Sequence, residues 1–201
     1  MVATAKPKIR VRDRENKTKQ LVYAAISVFA ERGYEKATTR EISERAGCAE
    51  GLIYKYFGGK RQLLFAALES RGDSKLDDQP GNGTLEDEIR GLLQRRIDRA
   101  WQDRDFMKVC ISLASVDADL AQIMDSLGRD NVIRTSAYLT GLIEAGLLNP
   151  DTDVEAAANI FGGVMLGLGY FGRIVFARDK ETIDAQVAAV ARQLCRGFAP
   201  A

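Results

Sequence analysis

Hydrophobic residues recur at helical spacing along nearly the whole chain, and no run alternates as a half-buried strand would. The first clear pattern lies between residues 18 and 32, and a glycine follows at which that helix is expected to end. Its apolar residues share one helical face: Val22, Ala25, Ile26 and Phe29. Later patterns predict helices over about 84–102, 105–115, 119–146, 153–177 and 180–197. The pattern therefore predicts an all-α fold.

Two short helices follow the first one and are separated by a glycine-containing turn. Thr38 and Glu41 have the spacing of a capping box, which predicts that a helix begins there and ends near Gly47. A second short helix is predicted through Tyr56, and a longer one over 60–71. The turn length is typical of a helix-turn-helix. The residues expected to face inward are Ile42, Ala46, Cys48, either Leu52 or Ile53, and Phe57.

Changes in composition divide the chain into three parts. Residues 1–16 are polar and basic without a hydrophobic pattern, so a flexible basic arm is predicted there. Residues 17–62 form the predicted N-terminal three-helix helix-turn-helix domain, and residues 63–201 form a larger helical body. Within that body, residues 72–83 are rich in turn formers and predict a loose connection.

The charge distribution separates the head from the body. Residues 1–62 carry 14 Lys and Arg against 7 Asp and Glu, whereas the remainder carries 15 against 21, although the net charge of the chain is only +1. A basic module joined to an acidic one is typical of a head that binds phosphates. The basic arm fits either an adjacent minor groove or a disordered solubilising tail.

Residue usage argues against metal chemistry, catalysis and bound cofactors. The chain has no histidine, and its three cysteines are far apart, so we expect no metal site, no catalytic site and a reducing, cytoplasmic setting. Residues 156–172 are uncharged but shorter than a usual membrane span, so no membrane partner is expected. The string Gly167–Gly172 satisfies GxGxxG, yet it lies inside a helical pattern, so a nucleotide-binding enzyme is a weak alternative.

The stretch from Thr38 to Lys60 resembles the TetR family of bacterial transcriptional regulators. The close resemblance covers about residues 18–68, whereas the body resembles the family only in helix order. It implies a sequence-specific regulator, most commonly a repressor released from a palindromic operator by a small-molecule effector. A non-specific or architectural DNA-binding protein is the alternative, although its body should also be basic. The matching residues are Thr38, Thr39, Ile42, Ala46, Gly47, Gly51, Tyr54, Tyr56, Phe57 and Lys60.

The resemblance also implies which residues contact DNA. Thr39 would bind a phosphate, Arg40 would reach a guanine, and Tyr56 and Lys60 would contact phosphates. Three departures from the family pattern concern this surface: Ala49 removes a common cap, Glu50 brings an acid toward the groove, and Gly58-Gly59 replaces a polar cap. Three roles are open for Glu50: it could accept from a cytosine N4, favour the helix dipole or simply repel phosphate. The complete predicted set is Thr38, Thr39, Arg40, Glu50, Gly51, Leu52, Tyr54, Lys55, Tyr56 and Lys60.

For the body, the resemblance implies effector binding and homodimerisation. The last two helices would form the dimer interface through Phe161, Gly163, Gly167, Ile183, Val187, Val190, Ala191 and Leu194. A small-molecule effector of apolar character would bind between body helices. The candidate pocket residues are Trp101, Phe106, Met107, Met124, Tyr138, Met165 and Tyr170, each of which could equally be ordinary core.

Overall fold

The computed structural model describes residues 7–72 and 80–198, with side chains for residues 13–71 and 80–198. Over these residues the chain forms helices and turns and no strand, which confirms the predicted all-α fold. The first seven helices are α1 (Pro7–Lys36), α2 (Thr39–Arg45), α3 (Gly51–Phe57), α4 (Lys60–Gly72), α5 (Leu85–Gln102), α6 (Arg104–Ala114) and α7 (Ala118–Glu144). They are followed by α8 (Val154–Val164), a π-helix (Met165–Val175) and α9 (Lys180–Phe198).

Helix α1 begins earlier than its hydrophobic pattern predicts. Its first residue is Pro7 and not Thr18, so residues 7–16 of the predicted flexible arm are helical, and residues 1–6 of that arm lie outside the described residues. Proline suits a first helical turn, and the Lys, Arg and Glu that follow are good helix formers. Residues 13–16 are exposed, so this part of the helix needs no hydrophobic stripe. At the other end, Gly33 has φ 73° and interrupts the helix where predicted.

The chain divides into two compact units. The first consists of the described residues of Met1–Ser74 and Asp105–Met124, and the second of those of Lys75–Arg104 and Asp125–Ala201. The predicted boundary after residue 62 differs from this division, because α4 packs on α1 and belongs to the first unit. The apolar residues of α4 are buried: Leu63, Leu64, Ala67 and Leu68.

The second unit has a core built mainly from α5, the end of α7, α8 and α9. It includes Leu92, Leu142, Phe161 and Val187, which are all almost fully buried. Helix α5 packs against both the π-helix and α9. In the π-helix each N–H reaches the carbonyl five residues back, as when Phe176 N–H donates to the Phe171 carbonyl at 2.8 Å.

Two glycines of the π-helix allow this close packing. A Cβ at Gly169 would lie 3.3 Å from Cγ1 of Ile97, and a Cβ at Gly172 would lie 3.0 Å from Cδ1 of Ile183. The segment Val154–Val175 is long and apolar enough to cross a membrane by length and composition, and 22% of its most apolar window is buried inside the chain. Much of this apolar surface is therefore solvent-exposed in one copy of the chain.

Candidate nucleic-acid interface

The helix-turn-helix rests on a small core in the first unit. Ile42 of α2 and Ile53 of α3 are fully buried, as are Ala25 and Phe29 of α1. Leu52 is only half-buried, so Ile53 is the residue of that pair that faces inward. Burial of one residue from each short helix fixes the angle between them, because seven-residue helices gain little stability on their own.

The start of α2 confirms the predicted capping box. The Glu41 backbone N–H donates to Thr38 Oγ1 at 3.1 Å, and the Thr38 backbone N–H donates to Glu41 Oε2 at 3.2 Å. The turn after α2 contains Gly47 with φ 61°, a conformation that favours glycine. Helix α3 begins without a side-chain cap, as the alanine at position 49 led us to expect.

An ion pair that the sequence pattern does not reveal ties α2 to α1. Arg45 Nη2 donates to Glu31 Oε2 at 2.8 Å, and its Nη1 donates to Ser27 Oγ at 2.7 Å. The Arg45 guanidinium, with help from the Ser27 hydroxyl, lowers the pKa of Glu31. The pair orients α2 on α1, and it was missed because residues on separate helices share no local spacing rule.

The exposed face of the helix-turn-helix brings several predicted DNA-binding residues together. Thr39 Oγ1 donates to Glu50 Oε1 at 2.5 Å, and Tyr54 Oη lies 3.4 Å from the same hydroxyl. Beside them, Arg40 Nε donates to Glu44 Oε1 at 2.9 Å. Hydrogen bonds thus join Thr39 of α2 to residues at the start of α3, and a separate bond pairs Arg40 with Glu44 on α2.

Cations and an aromatic ring extend this surface. The Arg14 guanidinium lies 5.5 Å from the Tyr56 ring centroid, and the Lys55 ammonium lies 5.8 Å from it. A Cβ at Gly51 would meet nothing within 4 Å, so the backbone there is open to a close approach. Tyr54 and Lys55 are exposed, whereas Tyr56 is half-buried.

Lys60 has a structural role that sequence reasoning did not identify. Its ammonium donates to the Tyr34 carbonyl at 2.9 Å and to the Ala37 carbonyl at 3.1 Å, and it lies 4.3 Å from the Tyr34 ring centroid. Lys60 therefore fastens the start of α4 to the end of α1. Gly58, two residues before Lys60, has φ 87° and donates its N–H to the Tyr54 carbonyl, so this junction is a defined turn. The expected phosphate contact of Lys60 stays a prediction.

A second unforeseen ion pair lies at the α6–α7 turn, within the first unit. Arg61 donates from Nε to Asp117 Oδ2 at 3.1 Å, from Nη2 to Asp117 Oδ1 at 2.8 Å, and from Nη2 to Asp119 Oδ2 at 2.9 Å. Asp117 Oδ1 also accepts from the Leu120 backbone N–H at 3.1 Å, which caps α7. These bonds, the one from Arg61 foremost, lower the pKa of Asp117.

The seven predicted pocket residues are divided between the two compact units. Phe106, Met107 and Met124 belong to the first unit, and the other four belong to the second. Phe106 is buried, while Trp101, Met107, Met124, Met165 and Tyr170 are half-buried.

Trp101 lies between two guanidinium groups. Those of Arg104 and Arg173 are 4.5 and 4.7 Å from its ring centroid. Arg173 is buried, and its Nη1 donates to Asp98 Oδ1 at 2.8 Å. A buried, paired arginine on an aromatic face is a polar group that sequence reasoning could not locate.

Tyr138 is the most enclosed of the candidate pocket residues in the second unit. Its hydroxyl donates to Glu88 Oε2 at 2.6 Å, and Glu88 Oε1 accepts from the Gly83 backbone N–H at 3.2 Å. The Tyr138 hydroxyl lowers the pKa of Glu88, and burial raises the pKa of Tyr138 itself. The pair is a hydrogen-bonded polar element inside an apolar core.

Four of the predicted dimer residues are buried within one copy of the chain. Phe161, Ile183, Val187 and Ala191 are at most 1% exposed and pack within the core of their own chain. Their contact with a partner stays a prediction, because helical spacing marks a buried face without identifying which molecule buries it. Val190 and Leu194 are half-buried against the same core, whereas Gly163 and Gly167 are exposed.

The GxGxxG string does not lie in the setting of a nucleotide-binding loop. Gly167–Gly172 lies within the π-helix and follows a helix, so it lacks the strand–turn–helix setting of a dinucleotide-binding loop. Across residues 7–72 and 80–198, no three His, Cys, Asp or Glu side chains are grouped so that they could hold a metal ion.

Comparison with known proteins places the helix-turn-helix within one family. Residues 21–67 match the sequence model of bacterial regulatory proteins of the tetR family. The HTH-type transcriptional regulator YezE of Bacillus subtilis (strain 168) is 27% identical over 183 residues, covering 84% of this chain and 92% of that protein. The HTH-type transcriptional repressor KstR of Rhodococcus jostii (strain RHA1) is 31% identical over 120 residues, covering 57% and 56%.

A solved structure extends the similarity to the whole fold. A TetR-family transcriptional regulator from Mesorhizobium loti superimposes with a TM-score of 0.75 at 18% identity, covering 92% of this chain and 98% of that one. At that identity the likeness concerns the fold, including the arrangement of helices in the divergent body.

Proposed function

We propose that this chain is a cytoplasmic repressor of the TetR family of bacterial transcriptional regulators, which a small-molecule effector releases from a palindromic operator. The observation that carries the proposal is the exposed surface formed by Thr39, Arg40, Glu50 and Tyr54 on the two short helices. Glu50 and Tyr54 lie at the start of α3, whose N-terminal residues would face base edges in the major groove.

A palindromic operator requires a two-fold dimer, since two reading helices must lie about 34–36 Å apart on successive turns of DNA. A ridge along α8 and the π-helix is exposed in one copy, and we name it the α8 stripe: Ala156, Ile160, Gly163, Gly167 and Phe171. Its small residues allow helices to approach closely, and a Cβ at Gly163 or Gly167 would meet nothing in its own chain. This apolar, unobstructed stripe supports a homodimer that pairs through it.

An effector site within the body is supported by buried polar groups in an otherwise apolar setting. Effector pockets are lined mainly by apolar side chains with a few oriented polar groups. Glu88, Thr135 and Arg173 are the buried polar or charged residues described in the second unit, and Glu88 contacts the candidate pocket residue Tyr138. We propose that an effector of mainly apolar character binds in the body and uses one of these groups for orientation.

Selection of genomic fragments with the purified full-length protein tests the proposal. We expect enrichment of one palindrome, which the protein prefers over random DNA by at least about 10³-fold at moderate salt. Arg40→Ala and Lys55→Ala should weaken operator binding, whereas Lys108→Ala, which removes an exposed lysine outside the helix-turn-helix, should not.

The same measurement separates a regulator from a non-specific DNA-binding protein. A protein that merely coats DNA would enrich no sequence, and its affinity would follow salt concentration alone. That result would refute the proposed function. If a palindrome is enriched, the genes beside it indicate the effector class to be tested by thermal stabilisation.

A further inference from the structure

We propose that Glu50 reads a cytosine in each half-site of the operator and that Thr39 holds its carboxylate in position. This inference rests on the proposed function, because it names a specificity determinant of the same surface. It assigns Glu50 to base recognition and gives Thr39 a positioning role besides any phosphate contact.

The geometry of Glu50 suits a base-reading residue. It directly precedes α3 in αR conformation, with φ −54° and ψ −38°, and its side chain makes no capping bond to the helix. Instead, Oε1 accepts from Thr39 Oγ1 at 2.5 Å, and the Tyr54 hydroxyl lies 3.4 Å from that Thr39 oxygen. An exposed carboxylate held from α2 loses little rotamer freedom when it meets a ligand.

Charge decides which DNA group this carboxylate can meet. A phosphate would repel it, whereas an amino group of a base would donate a hydrogen bond to it. In the major groove, amino donors are present on cytosine at N4 and on adenine at N6, and Glu characteristically accepts from cytosine N4. An ionised carboxylate has about four acceptor positions, so one bond from Thr39 leaves room for a base.

The assignment is tested by selecting binding sites from a randomised palindromic library. The sites selected by the wild type are compared with those selected by Glu50→Gln. The wild type should select one cytosine per half-site. Replacing that cytosine by another base should weaken wild-type binding about tenfold. In Glu50→Gln the preference at that same position should change to adenine, because Gln pairs with adenine N6 and N7. Glu69→Gln, an exposed change on α4 outside the predicted DNA-binding surface, is the matched control and should keep the cytosine.

Thr39 variants separate positioning from phosphate binding. Thr39→Val should reduce the cytosine preference at that one position, and Thr39→Ser, which restores the hydroxyl donor, should recover it. A role limited to phosphate binding would lower affinity for all sequences equally and leave the preference unchanged.

Two results would overturn the inference in distinguishable ways. If Glu50→Gln keeps the wild-type sequence preference while binding all DNA more tightly, Glu50 merely repels phosphates and only this inference fails. If the wild type itself enriches no sequence, the proposed function fails together with it.

Discussion

Ile160→Glu is the most direct test of dimerisation through the α8 stripe. Ile160 is 48% exposed in one copy of the chain, so about half of its surface is still available for burial by a partner. The substitution places a charge on the proposed interface while leaving the buried face of α8, including Phe161, unchanged. We expect the subunit to fold and the dimer to dissociate.

The magnitude follows from the exposed fraction. Complete burial of an isoleucine side chain contributes about 1.5–3 kcal/mol, so burial of the remaining half contributes roughly 0.7–1.4 kcal/mol per subunit. A symmetric interface includes the residue twice, which makes the loss about 1.4–3 kcal/mol. Since about 1.4 kcal/mol is a factor of ten, the dimer dissociation constant should rise roughly 10- to 100-fold, and further if the glutamate charge is desolvated.

Sedimentation equilibrium over a range of protein concentrations measures this constant, and thermal unfolding checks that the fold persists. Ile133→Glu is the matched control, because Ile133 is 66% exposed on α7 and lies outside the stripe. It should leave the dissociation constant unchanged. If Ile160→Glu remains as dimeric as the control, the α8 stripe is not the interface.

Three further predictions concern residues inside each unit. Ile53→Ala should lower the free energy of unfolding by about 2–5 kcal/mol and abolish operator binding; unchanged chemical denaturation would contradict the burial of Ile53. Because Arg61 lowers the pKa of Asp117, the pair stabilises the fold fully above the ordinary aspartate pKa and loses this effect as pH falls through the lowered one. Below about pH 4, the free energy of unfolding should therefore depend less steeply on pH in Asp117→Asn than in the wild type. Parallel pH profiles of the two proteins would count against the ion pair. Tyr138→Phe should cost about 1–3 kcal/mol, because it leaves the buried Glu88 carboxylate without its hydroxyl donor; an unaltered melting temperature would show that the bond contributes nothing.

Local signals in the sequence located the helix-turn-helix with good accuracy. The capping box from Thr38 to Glu41, the glycine turn at Gly47 and the inward Ile42 are all present in the structure. Each depends on residues a few positions apart, and such spacing acts through the backbone of a single helix or turn. The start of α1 was missed because residues 7–16 carry no hydrophobic pattern from which a helix could be predicted.

Contacts between residues far apart in the chain could not be predicted from the sequence. Arg45 meets Glu31, Lys60 meets the carbonyl of Tyr34, and Arg61 meets Asp117, each across two separate elements of the first unit. No periodicity links these pairs, since side chains on separate elements come into contact only after packing sets the distances between those elements.

The sequence by itself determined the helices, the helix-turn-helix and its resemblance to one family, because helical periodicity, caps and turn residues are local properties of the chain. Only the tertiary structure decided which apolar face of each helix is occupied within the chain. Val187 and Ile160 both occupy apolar helical positions, yet Val187 is buried in its own core and Ile160 is exposed. Periodicity shows that a face is apolar, whereas the neighbouring helices determine whether this chain or another molecule covers it.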